Sequence, residues 1–427
     1  MTRRGQTLQT QPQKSGLAVF DVEGVLIPKK RYLFFDVGRT LGFRRFVTII
    51  LWGFLYELGL ISLKSALRHV FKAFKGVHVA KLVRIFKRMP TMPGAERLFE
   101  GLRKDGWKTA LISSGLPTVI VQDLASTLEA DYAVGFELEQ EGGALTGRIM
   151  GDVIERNGKL PALAEILEKE DMSPRDCVVV ADDRNNASIL LPEAMKVGYN
   201  PDFIVRMKAD AIVDGELPEI LAVIKGETKR TRKLPNRSDM ARESIHASGF
   251  FMPVIAGFVG LHAVALFIFV MTFLYIVSEM ARMGGRDLPM ISNLTRVAAT
   301  QPELYEFATA PVFFALGILL TLLIFPQPIS SGAIAIFALG DSTASLFGKA
   351  LGRTQLALNR GKTLEGSIFG FLFAFLAGSC FVSMPLALAG AAVAMVVEYL
   401  PLPLNDNLLI PLITALALTI VPLTLAT

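Results

Sequence analysis

Cysteine is nearly absent, with only Cys177 and Cys380 in 427 residues. That excludes a disulfide framework, and both thiols are expected to be free and buried, Cys177 at the start of an apolar strand-like run. The four histidines, His69, His78, His246 and His262, show no metal-ligand spacing and are expected to be packed or solvated. Charge is scarce in the second half: from residue 244 onward there are 7 Lys+Arg and 8 Asp+Glu, against 37 and 31 before it. The overall net of +5 therefore describes neither half. Met1 to Gly16 contains no apolar core of the kind a signal peptide needs, so residues 1–15 read as a disordered leader.

What is present is apolar surface. With 52% hydrophobic residues and a mean hydropathy of +0.45, the chain accommodates a soluble domain of about 220 residues and a polytopic membrane domain. In the soluble half, Leu17–Phe20 reads as a buried strand ending on Asp21-Val22-Glu23-Gly24. A second apolar run, Thr109–Ile112, leads into Ser113-Ser114-Gly115, and a third, Cys177–Val180, leads into Ala181-Asp182-Asp183-Arg184-Asn185-Asn186. Strands ending in small and acidic groups build a polar crevice where open α/β sheets bind ligands. Gly158-Lys159 opens an amphipathic helix, bringing a cation to the same crevice.

These motifs resemble the haloacid dehalogenase (HAD) superfamily, in its phosphoserine-phosphatase-like branch, over residues 16–220. The resemblance implies a Rossmann-like α/β domain with a helical cap insertion. It makes Asp21 the nucleophile, Glu23 the acid/base, Ser113 the phosphate-binding hydroxyl and Lys159 the lysine, with Asp21, Glu23 and Asp182 around a Mg²⁺ ion. Attack by a carboxylate on phosphorus needs a metal and a cation to offset the repulsion. The chain departs from the pattern in Glu23, where most members carry Asp, and in Ala181-Asp-Asp-Arg-Asn-Asn186 in place of Gly-Asp-Gly-x-Asn-Asp. Loss of the final Asp is expected to weaken Mg²⁺ binding, and the longer Glu23 to favour an alcohol over water as acceptor.

The cap, about residues 29–90, carries 14 Lys+Arg against Asp36 and Glu57, interleaved with aromatic residues. Such a surface suits anionic lipid headgroups, and with a membrane domain in the same chain no nucleic-acid partner is expected. Phe46–Ser62 is nearly long enough to span a bilayer, but one span would separate Asp21 from Ser113, so it reads as an interfacial or buried helix. A basic linker at 221–243, with seven bases against two acids from Lys225 to Arg242, marks a cytoplasmic juxtamembrane segment. Apolar runs follow at 244–260, 262–280, 308–325, 328–348, 363–383, 385–399 and 408–425. These make about seven transmembrane helices, an all-α polytopic domain of the cell membrane with the soluble domain on its cytoplasmic side.

Gly340-Asp341-Ser-Thr-Ala-Ser345-x-x-Gly348-Lys349, Lys362-x-x-Glu365-Gly366-Ser367, and Glu398 followed by Asn405-Asp406-Asn407 resemble the dolichol kinase and phytol kinase family over residues 240–427. These are CTP-dependent polyprenol kinases related to phosphatidate cytidylyltransferases. The resemblance implies phosphoryl transfer from CTP or another nucleotide to an isoprenoid alcohol, which is mainly positioning and charge neutralisation. Asp341, Glu365 and Asp406 are the candidate catalytic and metal-holding carboxylates. Ser345, Lys349, Arg353, Lys362, Ser367 and Asn407 are candidates for the nucleotide, and His246 matches a family histidine without its adjoining Arg-Lys pair. A CDP-lipid-forming membrane domain and a non-catalytic lipid-sensing scaffold are the alternatives.

Overall fold

The computed structural model describes residues 15–29, 42–57, 60–87, 89–227, 234–299, 301–359, 361–400, 402 and 405–425. The expected leader (save residue 15), the basic residues 30–41 and the 228–233 stretch of the linker lie outside the described residues. The chain divides into two compact units, Met1–Thr231 and Arg232–Thr427.

The first unit starts with β1 (Leu17–Phe20), followed by three cap helices, α1 (Phe43–Glu57), α2 (Leu63–Lys72) and α3 (Val79–Phe86). Then come α4 (Ala95–Lys104), β2 (Lys108–Pro117), α5 (Thr118–Leu128), β3 (Tyr132–Glu141) and β4 (Ala144–Met150). The unit finishes with α6 (Lys159–Lys169), β5 (Cys177–Ala181), β6 (Met195–Tyr199), α7 (Phe203–Lys208), β7 (Ala211–Val213) and α8 (Glu219–Ile224). The strands form one sheet in the order β4-β3-β2-β1-β5-β6-β7, parallel except for the β3–β4 hairpin. The strand order turns at β1, the position where doubly wound sheets open a ligand crevice.

Alternation along β1 builds two cores. Ala18 and Phe20 join a cluster with Phe99, Leu102 and the cap residues Phe71, Phe74 and Leu82, whereas Leu17 and Val19 join Leu163, Leu167 and Val205. The cap is thereby tied to one sheet face, with Phe71 meeting Phe136 edge-on at 5.0 Å. In the cap, α1 buries Ile49 and leaves Arg44, Arg45, Val47 and Leu51 exposed. His69 is stacked on Trp52 at 3.6 Å, a packed histidine.

The second unit is helical: α9 (Arg237–Ser248), α10 (Phe251–Val259), α11 (Leu261–Met283), α12 (Pro289–Ala298), α13 (Gln301–Tyr305), α14 (Ala310–Ile324), α15 (Ile329–Leu351), α16 (Leu364–Gly378), α17 (Met384–Tyr399) and α18 (Asp406–Leu425). Two of them, α11 and α15, are long and apolar enough to cross a bilayer, while α14, α16, α17 and Asp406–Val421 are apolar but shorter. The expected first span, 244–260, is instead two short helices separated at Gly249-Phe250. The polar stretch from Asp341 lies inside a helix. It continues α15 to Leu351, which places Asp341 about 15 Å inside the helix end at 1.5 Å per residue. Glycines account for the tightest helix pair: a Cβ on Gly366 would lie 2.6 Å from the Ala344 carbonyl oxygen, and one on Gly370 2.7 Å from Ala344 Cβ. Gly366 and Gly370 thus serve close approach of α15 to α16. Cys177 is fully buried as expected, whereas Cys380 is exposed, since it falls in the turn after α16 and not in a packed helix.

Candidate active sites

Sheet register assembles the first site. Phe20, the last residue of β1, is paired with Leu111 of β2 and Val180 of β5, so Asp21, Ser113 and Asp182 emerge together at one edge. Ser113 lies within β2, where pairing with β3 is interrupted between Ile112 and Pro117. The Asp21 carboxylate is held on all sides: Oδ1 accepts from Lys159 Nζ at 2.7 Å and from the Val22 amide at 2.9 Å, and Oδ2 accepts from Asn186 Nδ2. Lys159, the first residue of α6, is 2% exposed and also donates to Asn186 Oδ1 at 2.6 Å. Asn186 therefore uses its neutral amide to orient both the Asp21 carboxylate and the Lys159 ammonium.

Glu23 Oε2 accepts from Ser113 Oγ at 2.7 Å, and Ser113 Oγ accepts from the backbone amides of Gly115 (3.2 Å) and Leu116 (2.8 Å). A Cβ on Gly115 would sit 2.0 Å from Glu23 Oε1, so only glycine leaves room for this carboxyl. Burial and the neighbouring Asp21 charge push the Glu23 carboxyl up to about 7, against the opposing pull of Lys159 and the Ser113 hydroxyl. A carboxyl poised there can give and take a proton near neutral pH.

Beyond Asp21 the acids gather. One oxygen each from Asp21, Asp182 and Asp183 lie within 4.8 Å of one another, and Lys29 Nζ donates to Asp182 Oδ2 at 3.1 Å and to Asp183 Oδ2. Asp182 Oδ1 is buried with no hydrogen-bond partner. Burial raises the Asp182 carboxyl well above its usual range, with Asp183 and Asp21 adding to the effect and Lys29 opposing it. Burial acts the same way on Asp183, but Lys29 outweighs it and holds that carboxyl below its usual range. Three clustered carboxylates with an orphaned oxygen fit a hard divalent cation such as Mg²⁺. Asp183 places a third carboxylate beside Asp21 and Asp182 from the same loop that carries Asn186. Gly24 closes the site from below: at φ 84° it sits where a Cβ would meet Asp182 Oδ2 at 2.1 Å. From the cap, Tyr56 accepts a hydrogen bond at 2.7 Å from Asn185 Nδ2, which also donates to Asp183 at 2.8 Å.

In the helical unit, Asp341 is the centre of a second cluster. Its Oδ2 lies 3.3 Å from His246 Nδ1 and its Oδ1 3.7 Å from Lys362 Nζ. Lys362 is also paired with Glu398, and Asp406 lies within electrostatic reach of both Lys362 and Asp341. Ser345 donates to Glu243 Oε1 at 2.7 Å, and Lys349 is paired with Asp239. Four expected residues stand apart. Glu365 accepts from the Arg353 amide (3.0 Å) and from the Thr354 amide and hydroxyl (3.2 and 3.1 Å), which fastens the loop before α16. Arg353 itself is exposed, and Ser367 lies half-buried on the first turn of α16. Asn407 is buried at the start of α18 and donates to the Ala310 carbonyl at 3.5 Å, a packing role between α18 and α14. Sequence reasoning missed Lys29, Asp183, Tyr56, Asn185, Asn186 and Glu243 as site members. Glu243-x-x-His246 was visible as an i, i+3 pair on one helix face.

Comparison with known proteins agrees with both halves. A model of haloacid dehalogenase-like hydrolases matches residues 18–185, and one of the cytidylyltransferase family matches residues 227–423. A phosphoserine phosphatase of Archaeoglobus fulgidus is 34% identical over 158 residues, which is 37% of this chain and 46% of that protein's length. One from Polaromonas is 30% identical over 168 residues, 38% of this chain and 71% of its own. One from Idiomarina loihiensis is 29% identical over 212 residues, 49% and 94% of the two chains. A solved structure of a substrate-bound phosphoserine phosphatase complex is 26% identical and covers 49% of this chain and 99% of that one, with a TM-score of 0.45. The chain thus belongs to the phosphoserine-phosphatase-like haloacid dehalogenase hydrolases and carries, behind that domain, one of the cytidylyltransferase family that includes the dolichol and phytol kinases.

Proposed function

We propose that this chain is a bifunctional membrane enzyme of lipid phosphate metabolism. Its first domain hydrolyses or transfers a phosphoryl group, and its second phosphorylates an isoprenoid alcohol at the expense of CTP or a related nucleotide. The observation that carries the first half is the hydrogen-bonded set Lys159–Asp21 and Ser113–Glu23 at the sheet edge. One carboxylate oxygen of Asp21 attacks phosphorus while Lys159 and the Ser113 hydroxyl hold the phosphoryl oxygens. Glu23 gives its proton to the leaving alkoxide and later takes one from the acceptor, water or an alcohol, that opens the aspartyl phosphate. Mg²⁺ held by Asp21, Asp182 and Asp183 would supply charge neutralisation.

For the second domain, Lys362 and Lys349 are the cations at hand for nucleotide phosphates, and Asp341 and Asp406 the carboxylates for its metal. Phosphoryl transfer asks little more of a protein than such positioning and neutralisation. The seven-span topology, the cytoplasmic placing of the first domain and the docking of its cap on anionic lipid belong to the same proposal. Exposed Val47, Leu51 and Leu60 beside Arg44 and Arg45 favour that docking.

Incubating the membrane-embedded protein with a polyprenol, Mg²⁺ and either γ- or α-labelled CTP, followed by lipid extraction, tests the second half. The γ-label is expected in the lipid. Transfer of the α-label instead would mean CDP-lipid formation, and transfer of neither would leave a binding scaffold.

A further inference from the structure

One cluster in the helical unit holds, among the described residues, more carboxylates than lysine and arginine side chains. Asp239, Glu243, Asp341 and Glu398 are linked through Arg242, Lys349 and Lys362, with Asp406 in electrostatic reach of Lys362: Arg242 lies 3.6 Å from Asp239 and 3.1 Å from Glu243, Lys349 is paired with Asp239, and Lys362 with Asp341 and Glu398. Among the described residues these five carboxylates meet three lysine and arginine side chains and His246, and Glu243 and Glu398 are only 3% and 2% exposed. Glu398 Oε2 is moreover buried with no hydrogen-bond partner, although its other oxygen meets Lys362. Buried unpaired charge is costly enough that a missing counter-ion is the natural explanation.

Geometry supplies the place for one. Glu243 and His246 lie one turn apart on α9 and project on the same face, and α15 brings Asp341 against them. One ligand atom from each of Glu243, His246 and Asp341 falls within 4.8 Å of the others. His246 is fixed in this orientation by stacking on Phe314, with ring centroids 4.5 Å apart. An i, i+3 Glu-x-x-His pair facing a carboxylate from a second helix is a donor set that bundles use for divalent metals. An imidazole among the donors favours Mn²⁺, Fe²⁺ or Zn²⁺ over Mg²⁺, which prefers oxygen alone.

We propose that Glu243, His246 and Asp341 form a divalent-cation site in the helical unit, distinct in donor chemistry from the all-carboxylate site of the first domain. The site deepens the phosphoryl-transfer reading of that unit by giving Asp341 its metal partners, yet it can be tested without nucleotide or lipid. The first-domain site offers Mn²⁺ only oxygen donors, Asp21, Asp182 and Asp183, so a histidine nitrogen on bound Mn²⁺ reports the second site alone.

The experiment is pulsed electron paramagnetic resonance of the detergent-solubilised full chain with Mn²⁺ added, at natural abundance and with ¹⁵N-histidine. Nitrogen modulation that changes from the ¹⁴N to the ¹⁵N pattern is expected, along with its persistence in Asp182→Asn. His246→Gln is expected to remove it, and Glu243→Gln to weaken Mn²⁺ at that site about tenfold. The isotope comparison needs no substitution, so a misfolded variant cannot decide the matter. Bound Mn²⁺ with no histidine modulation, or modulation surviving His246→Gln in a protein that still folds, would overturn the site. Failure of lipid phosphorylation with the modulation present would instead count against the kinase reading.

Discussion

Lys159 Nζ and Asp21 Oδ1 form a 2.7 Å ion pair in which both side chains are almost wholly buried, 3% and 6% exposed. The pair fixes the proposed nucleophile before any substrate arrives, and breaking one side leaves an uncompensated charge. Lys159→Met is therefore expected to destabilise the first unit by about 3–5 kcal/mol and to lower phosphomonoester hydrolysis by about 100-fold or more. Thermal unfolding and steady-state hydrolysis of the purified full chain measure the two effects. Hydrolysis within threefold of the parent would remove Lys159 from the reaction.

Gly24 sits in the left-handed region and under Asp182 at once. Gly24→Ala is expected to carry roughly 1–2 kcal/mol of backbone strain and, by moving the Asp182 carboxylate, to raise the Mg²⁺ concentration needed for half-maximal hydrolysis. The titration of activity against Mg²⁺ separates the two: a lower melting temperature with an unchanged Mg²⁺ requirement would show that Asp182 does not hold the metal.

Cys177 is sealed between β1 and its flanking helices, and burial pushes its thiol up to about 12 from 9.0, with Asp176 adding a little. The unfolded chain loses this proton above about pH 9 and the folded chain keeps it, so the contribution to stability is complete below pH 9 and declines as pH rises toward 12. In a Cys380→Ser background, maleimide is expected to modify Cys177 only in denaturant. Native labelling at pH 8 would contradict the buried thiol.

The cap's exposed face makes docking measurable. With a fluorophore at a cysteine replacing Leu51, in a chain lacking Cys177 and Cys380, anionic nanodiscs are expected to give a blue-shifted emission quenched by nitroxide lipid. The shift is expected to fade as salt rises, since the Debye length shortens to about 8–10 Å near physiological ionic strength. Emission that stays aqueous in anionic discs would leave the cap a solvated face.

Much of this was legible in the chain. Asp21, Ser113 and Asp182 follow apolar strands, and a parallel sheet in register can only bring such strand ends together. Lys159 was legible because a helix start next to that edge carries its first side chain toward the crevice. Asp183 and Asn186 were not, since the exchange of amide and carboxylate along one loop becomes visible only when Asn186 is seen to touch Asp21 and Lys159. Lys29 and Tyr56 reach the site from the cap, a tertiary contact no local pattern encodes. In the second half, the Asp341 and Lys362 motifs marked polar residues in an apolar background. Glu243 was hidden in a basic linker whose charge balance suggested only a membrane edge. Glu365 misled for a simpler reason: a carboxylate at a helix start is as readily used to cap the preceding loop as to meet a substrate.

The most direct measurement is of the covalent intermediate itself. After brief reaction of the full chain with a ³²P-labelled phosphomonoester and Mg²⁺, followed by acid quench, the label is expected on the peptide containing Asp21, released by hydroxylamine and absent from Asp21→Asn. Hydrolysis that continues in Asp21→Asn with no label on the parent protein would contradict the account at its centre.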